Sequence, residues 1–87
     1  MYIWNYIFQI FMIRYWEDRY RQIPVFMGEL PGDMLAHFQH TPEGINDIIL
    51  ADNQDLTDRE LMGVLLHEMC HHVVFEEYGC EVVPHGF

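Results

Sequence analysis

The sequence predicts one small α+β domain over residues 1–87, with a long N-terminal helix, a small sheet of two to three strands and a second helix. Three observations carry this prediction. No helix breaker occurs between Tyr2 and about Gln22, two short runs in the middle alternate in polarity, and a capped amphipathic segment precedes Gly79. A chain of 87 residues has room for a single core.

The first helix is predicted to span residues 2–22. Its second half carries Arg14, Asp18 and Arg21 at spacings of four and three, which predicts a polar stripe on one side. Its first half is apolar on nearly every side, since only Asn5 and Gln9 interrupt it. So much apolar surface predicts a homo-oligomer or a protein partner through this aromatic helix. The expected contact residues are Trp4, Ile7, Phe8 and Phe11.

The middle of the chain is predicted to form the sheet. Prolines and glycines over residues 23–33 end the first helix and allow a short extended piece around Val25. The runs "MLAHFQH" (34–40) and "INDIILA" (45–51) alternate in polarity and are separated by the turn sequence "TPEG". They are predicted to be two paired strands.

The second helix has the clearest sequence signals. Thr57 and Glu60 form a capping box, apolar residues recur at helical spacing from Leu61 to Phe75, and Gly79 is placed to end the helix.

This helix contains "HEMCH", in which His67 and His71 are four residues apart. On a helix they project from one face and can direct two imidazole nitrogens to a point about 2.0 to 2.1 Å from each, the distance that zinc prefers. Glu68 lies about a third of a turn away and can reach a zinc-activated water as general base. It is the only charge in an apolar run, and a nearby cation would compensate a buried carboxylate. The pattern predicts one zinc per chain, with Glu68 catalytic.

A catalytic zinc usually has three protein ligands. The residues alone leave the third one open among six candidates after His71: His72, Glu76, Glu77, Cys80, Glu81 and His85. His72 lies about 100° around the helix from His71 and is expected to face away, in a structural or solvated role.

Five other residues have weaker signals. Tyr78, seven residues after His71, could steady an oxyanion but is expected only to pack. Cys70 is expected to be buried, and Gly63 either admits a segment close to the metal or serves helix packing. His37 and His40 are expected on opposite faces of a strand, as ordinary surface or core residues.

The charge balance excludes some classes of function. The formal net charge is -10 and the chain has no lysine, which disfavours direct nucleic-acid binding and favours solubility or a basic protein partner. The opening apolar run has no preceding positive charge and falls short of about 20 residues, so neither a membrane span nor an export signal is expected. Two cysteines fit reduced thiols and a cytoplasmic location.

Taken together, "WNYIFQIF", "FMGELP", "INDIILAD", "VLLHEMCHHVV" and "PHG" resemble, in this order, the SprT-like (Spartan-type) zinc metallopeptidases, in a minimal or truncated form. The resemblance covers nearly the whole chain, and "LLHEMCH" with the later "HG" is its specific part. It implies a zincin-like fold, zinc ligands His67, His71 and His85, and Glu68 as the catalytic base.

The chain departs from this family in two respects. Family members continue beyond the third ligand into another helix, so the short form implies either a trimmed version, such as a virus or mobile element could carry, or an incomplete site. Their basic DNA-binding surface also has no counterpart here. The expected function is zinc-dependent hydrolysis of peptide bonds in a protein or peptide substrate. The alternative is a non-catalytic acidic module, binding zinc or a partner protein.

Overall fold

The computed structural model describes residues 3–79. Within them two helices and a three-stranded mixed sheet give the coarse α+β class that the sequence predicts. In chain order the elements are α1 (Ile3–Trp16), β1 (Val25–Gly28), β2 (Ala36–Gln39), β3 (Asp47–Ala51) and α2 (Asp58–Tyr78).

The last strand in the chain is central in the sheet, whose order is β1-β3-β2. Strand β3 runs parallel to β1, with Val25 opposite Ile48, and antiparallel to β2, with Phe38 opposite Ile48. The predicted pairing of the two middle runs is therefore confirmed, and the extended piece around Val25 is a third strand.

The predicted end of α1 at about Gln22 is wrong, because the helix ends at Trp16. Glu17 and Asp18 adopt left-handed backbone conformations with φ of 56° and 58°. The Asp18 N–H donates to the Met12 carbonyl at 3.1 Å, which closes the helix end. The predicted polar stripe does not exist, since Asp18 and Arg21 lie beyond the helix.

Arg21 instead joins three parts of the fold. Its guanidinium donates to the Glu76 carboxylate on α2 and, at 2.7 Å, to the Gly44 carbonyl in the turn before β3. This contact fixes the segment after α1 against α2.

Asn5 anchors α1 to the sheet. Its side-chain Nδ2 donates to the Val25 carbonyl at 3.0 Å, and the Val25 N–H donates to Asn5 Oδ1 at 2.8 Å. The amide thus satisfies both backbone groups of Val25, and the polar interruption in the apolar helix has a structural use.

The core lies between the sheet and the two helices, and α1 contributes its aromatic residues to it. Trp4, Phe8 and Met12 are buried there, so Trp4 and Phe8 are not available as the predicted docking surface, while Ile7 and Phe11 pack partly against the core. A different face of α1 is exposed. It consists of Ile3, Tyr6, Ile10 and Ile13.

The predicted signals of α2 are confirmed. The Thr57 hydroxyl accepts from the Glu60 N–H while the Glu60 carboxylate accepts from the Thr57 N–H, and Gly79 ends the helix with φ of 76°. Neither helix within residues 3–79 combines the length and apolar character needed to cross a bilayer.

Candidate metal centre

One side of α2 packs on the core, and the candidate ligands lie where that side meets solvent. His67 is exposed, whereas Glu68 and His71 retain only 6% and 3% of their surface. The helical step of 100° places these residues on adjoining rows, and it places Leu65 and Met69 in the core.

The two imidazoles converge as the spacing predicts. The Nε2 atoms of His67 and His71 are 3.2 Å apart, and the rings meet edge to face. One ligand atom from each of His67, Glu68 and His71 lies within 4.8 Å of the other two. These three residues form a group that could hold a metal ion.

The separation of the nitrogens suits one shared ion. Two nitrogens bound to a single tetrahedral zinc at 2.0 to 2.1 Å are about 3.3 Å apart. An N–H···N hydrogen bond between the rings also fits 3.2 Å, provided that one ring donates and the other accepts. A divalent ion between the two nitrogens would take the place of this hydrogen bond.

Glu68 supplies the observation that favours a metal-binding group over a pair of structural histidines. Its Oε1 atom is buried and has no hydrogen-bond partner within residues 3–79. A buried carboxylate oxygen without a partner is costly, and a cation or an ion-held water beside it would remove the penalty. The donor set therefore fits a divalent ion such as zinc.

His72 is held in the core, which settles its expected role as structural. Its side chain is fully buried, and Nε2 donates to the Arg21 carbonyl at 2.9 Å. Burial lowers the pKa of His72 below its ordinary value, although this hydrogen bond and the nearby Glu76 oppose the effect. The ring is therefore neutral and, as expected, directed away from His71.

An open cleft of about 690 Å³ leads to the metal-binding group. One wall is the start of β2, with Met34, Leu35 and Ala36, and the other is α2 from Glu60 to Glu68. His67 and Glu68 line the cleft, so the catalytic base predicted from sequence faces a space in which a ligand could lie.

The β2 wall also presents backbone groups that pair with no other strand of residues 3–79. Leu35 accepts from the Ala51 N–H at 2.9 Å, so it belongs to a hydrogen-bonded pair of the ladder with β3. Because such pairs alternate along antiparallel strands, the N–H and C=O of the next residue, Ala36, face away from β3 toward the free edge. That edge borders the cleft and could pair with an extended peptide.

No family model matches the chain, and no curated protein or solved structure is significantly similar to it. The centre is therefore interpreted from its own geometry.

The remaining sequence expectations have mixed outcomes. Cys70 is exposed, so its predicted burial is wrong: it lies on the outer side of α2. Tyr78 is 66% exposed at the helix end. A Cβ placed on Gly63 would meet no atom within 4 Å, so neither tight helix packing nor a closely approaching segment among residues 3–79 explains this glycine. His85, Cys80 and Glu81 lie outside the described residues.

The two strand histidines lie away from the centre. His37 in β2 and His40 just after it both line a second cleft with Asp47, and the His40 ring also packs on Phe75 with ring centroids 4.4 Å apart.

Sequence reasoning missed the cleft itself. Leu35 and Leu56 are far apart in sequence and carry no motif, and only the packing of β2 against α2 brings them beside His67. Gly63, one turn before His67 on the same helix face, was the only local signal.

Proposed function

We propose that the chain is a zinc-dependent metallopeptidase with a minimal zincin-like fold, resembling the SprT-like enzymes, that hydrolyses peptide bonds. One observation carries the proposal: a buried carboxylate oxygen of Glu68, which has no hydrogen-bond partner among residues 3–79, lies beside two converging imidazoles at the end of an open cleft.

His67 and His71 would hold the ion, with His85 as the third ligand that the resemblance implies. When bound, zinc acidifies a water molecule and polarises the substrate carbonyl. The Glu68 carboxylate would take one proton from the attacking water and would return it to the amine nitrogen released when the peptide C–N bond breaks.

The cleft fits a protein or peptide substrate. An extended segment would pair with the Ala36 backbone at the free edge of β2 and pass across Glu68. The net charge of -10 disfavours nucleic acid as a direct partner, and a cytoplasmic location is proposed with this activity.

The proposal is tested by paired measurements on purified wild type and Glu68→Gln. The experiment measures zinc content, thermal melting, and cleavage of casein or a peptide library with and without a chelator. Glutamine preserves the size of the side chain but cannot accept the proton. Zinc should therefore be retained while turnover falls by about a hundredfold or more.

Asp58→Asn is the matched control, because it removes an exposed carboxylate from the first turn of the same helix, away from every candidate ligand. It should leave turnover unchanged. A wild type that cleaves nothing under any zinc loading, or a Glu68→Gln variant that cleaves equally well, would refute the peptidase mechanism.

A second candidate function is a non-catalytic module that binds zinc or docks on a partner protein. The outward face of α1 favours it, because Ile3, Tyr6, Ile10 and Ile13 are between 42% and 65% exposed and recur at spacings of three and four. Stoichiometric zinc without turnover would support this function instead.

A further inference from the structure

We infer that the cleft beside Glu68 selects a peptide with a large uncharged apolar side chain next to the bond to be cut, and that Gly63 determines this preference. The inference rests on the proposed function and names its substrate class. It concerns recognition by this chain's own residues and is testable without the metal.

The walls of the cleft are mostly apolar. Six of its nine lining residues have no polar side-chain atom able to make a strong hydrogen bond, namely Met34, Leu35, Ala36, Leu56, Gly63 and Val64. Met34 and Leu35 are 39% and 40% exposed, so residues 3–79 leave much of this wall uncovered. An apolar side chain would gain most from entering such a space.

Gly63 keeps the cleft open. Glycine is unfavourable inside a helix, so its presence in α2 calls for a local reason. A Cβ at this position would meet no atom within 4 Å, so packing within residues 3–79 does not demand glycine. Position 63 borders the cleft one turn before His67, and any larger side chain there would extend into the space that a ligand would use.

The charges at the cleft do not favour a charged side chain. Glu60 is the carboxylate at its far end, and it already accepts from the Thr57 N–H and hydroxyl at 3.0 Å each. An acidic ligand side chain would be repelled by Glu60 and Glu68. A basic side chain directed toward Gly63 would lose hydration against the apolar walls, and Glu60 is already engaged by Thr57. Glu68 would attract it only if it turned away from Gly63 toward the candidate metal group, so tightest binding of a basic peptide would count against the inference.

The free edge of β2 determines how the peptide would lie. Pairing with the Ala36 N–H and C=O holds a ligand extended, and alternate side chains of an extended peptide point to opposite sides. One of them would then point between β2 and α2, toward Gly63, while the backbone continues toward Glu68.

The test measures binding of capped glycine pentapeptides to the full metal-free chain, by NMR titration up to millimolar peptide. The central residue is leucine, alanine, lysine or glutamate. The leucine peptide should bind about fivefold or more tightly than the alanine peptide, and more tightly than either charged peptide.

Gly63→Leu should occupy the part of the cleft beside position 63 and abolish the preference for leucine. Its melting temperature should be no lower than that of wild type, because leucine favours a helix over glycine. Cys70→Leu is the matched control on the exposed side of the same helix and should keep the preference. Gly63→Ala, which adds one methyl group, should reduce the preference only in part.

Equal binding of the leucine and alanine peptides, tightest binding of the lysine peptide, or an unchanged preference in Gly63→Leu would each overturn the inference. These outcomes are independent of catalysis. A preference that persists in a chain without zinc-dependent turnover would refute the peptidase mechanism and still support the recognition of apolar side chains.

Discussion

The Nε2 atoms of His67 and His71 lie 3.2 Å apart, close to the separation that one shared zinc ion would impose. Both rings project from α2. Two other contacts hold this helix in place: His72 binds the Arg21 carbonyl in the core, and the Arg21 side chain binds Glu76. The pair is thus positioned by packing before any ion binds, which reduces the reorganisation that binding requires.

The third ligand is tested by His85→Ala. Loss of one of three protein ligands should lower zinc affinity at least tenfold, while far-ultraviolet circular dichroism shows an unchanged helix content. His37→Ala is the control, since His37 lines a different cleft. If His85→Ala binds zinc as tightly as wild type, the third ligand is not His85 but Cys80 or a glutamate.

The contact between Arg21 and Glu76 should give a measurable interaction free energy between the two side chains in unfolding experiments. Both side chains are partly exposed, at 48% and 25%, so a double-mutant cycle with alanine should give an interaction free energy of about 0.5 to 1 kcal/mol in denaturant unfolding. The His72 hydrogen bond should survive, because it uses the backbone carbonyl of Arg21. The control is the same cycle on Arg19 and Glu17, whose charged groups are exposed and 3.8 Å apart. Its interaction free energy should be smaller than that of Arg21 with Glu76. A coupling within error of zero would show that solvent screens the pair completely.

Replacing Asp47 with an uncharged residue should stabilise the fold, and the gain should depend on pH. Burial raises the pKa of this carboxyl above its ordinary value of 3.8, although the nearby His37 opposes the shift, and its Oδ1 has no partner within residues 3–79. A raised folded-state pKa means that the charged form destabilises the fold. This penalty is fully present above the folded-state pKa and disappears as the pH falls below 3.8.

Asp47→Asn should therefore raise the free energy of unfolding at neutral pH, and the advantage should shrink as the solution is acidified through that window. Urea unfolding across pH 7 to about 3 measures the difference. The exposed Asp33→Asn should show no such trend. A gain that is constant with pH would mean that the effect of Asp47→Asn is steric.

The outward face of α1 predicts self-association. Ile3, Tyr6, Ile10 and Ile13 follow the three-four spacing of a helix seam, and Arg14 is the only charged residue in α1. Sedimentation at micromolar concentration should show a species larger than a monomer, and added salt should favour it by screening a net charge of -10 per chain.

Ile13→Gln should return the chain to a monomer, whereas Ile45→Gln should not, because Ile45 is 69% exposed but lies outside α1. A wild type that sediments as a monomer and binds no apolar dye would contradict this prediction.

Local sequence signals predicted the parts of the fold that depend on local chemistry. The two ends of α2 are set by short-range signals, the capping box of Thr57 with Glu60 at its start and the left-handed Gly79 at its end. The four-residue spacing of His67 and His71 is likewise enough to make their rings converge. The early end of α1 was missed because neither Glu17 nor Asp18 is a glycine, yet both adopt positive φ.

Longer-range features could not be read from the sequence. The spacing of Arg21 from Arg14 and Asp18 suggested a polar stripe on the first helix, but its actual partner, Glu76, is 55 residues away in the sequence. Cys70 looked apolar enough for burial, and only the packing of α2 on the sheet shows that its row of the helix faces solvent. The cleft likewise depends on how β2 meets α2.

The strand order has a consequence for how the chain acquires its structure during synthesis. Strands β1 and β2 are both edge strands whose neighbour within the sheet is β3, so neither can join a ladder until residue 51 has left the ribosome. The helix that carries His67 and His71 follows still later and completes the core. We expect tight zinc binding at this pair only once nearly all of the described chain has folded, so zinc retention would report on global unfolding as well as on the ligands themselves.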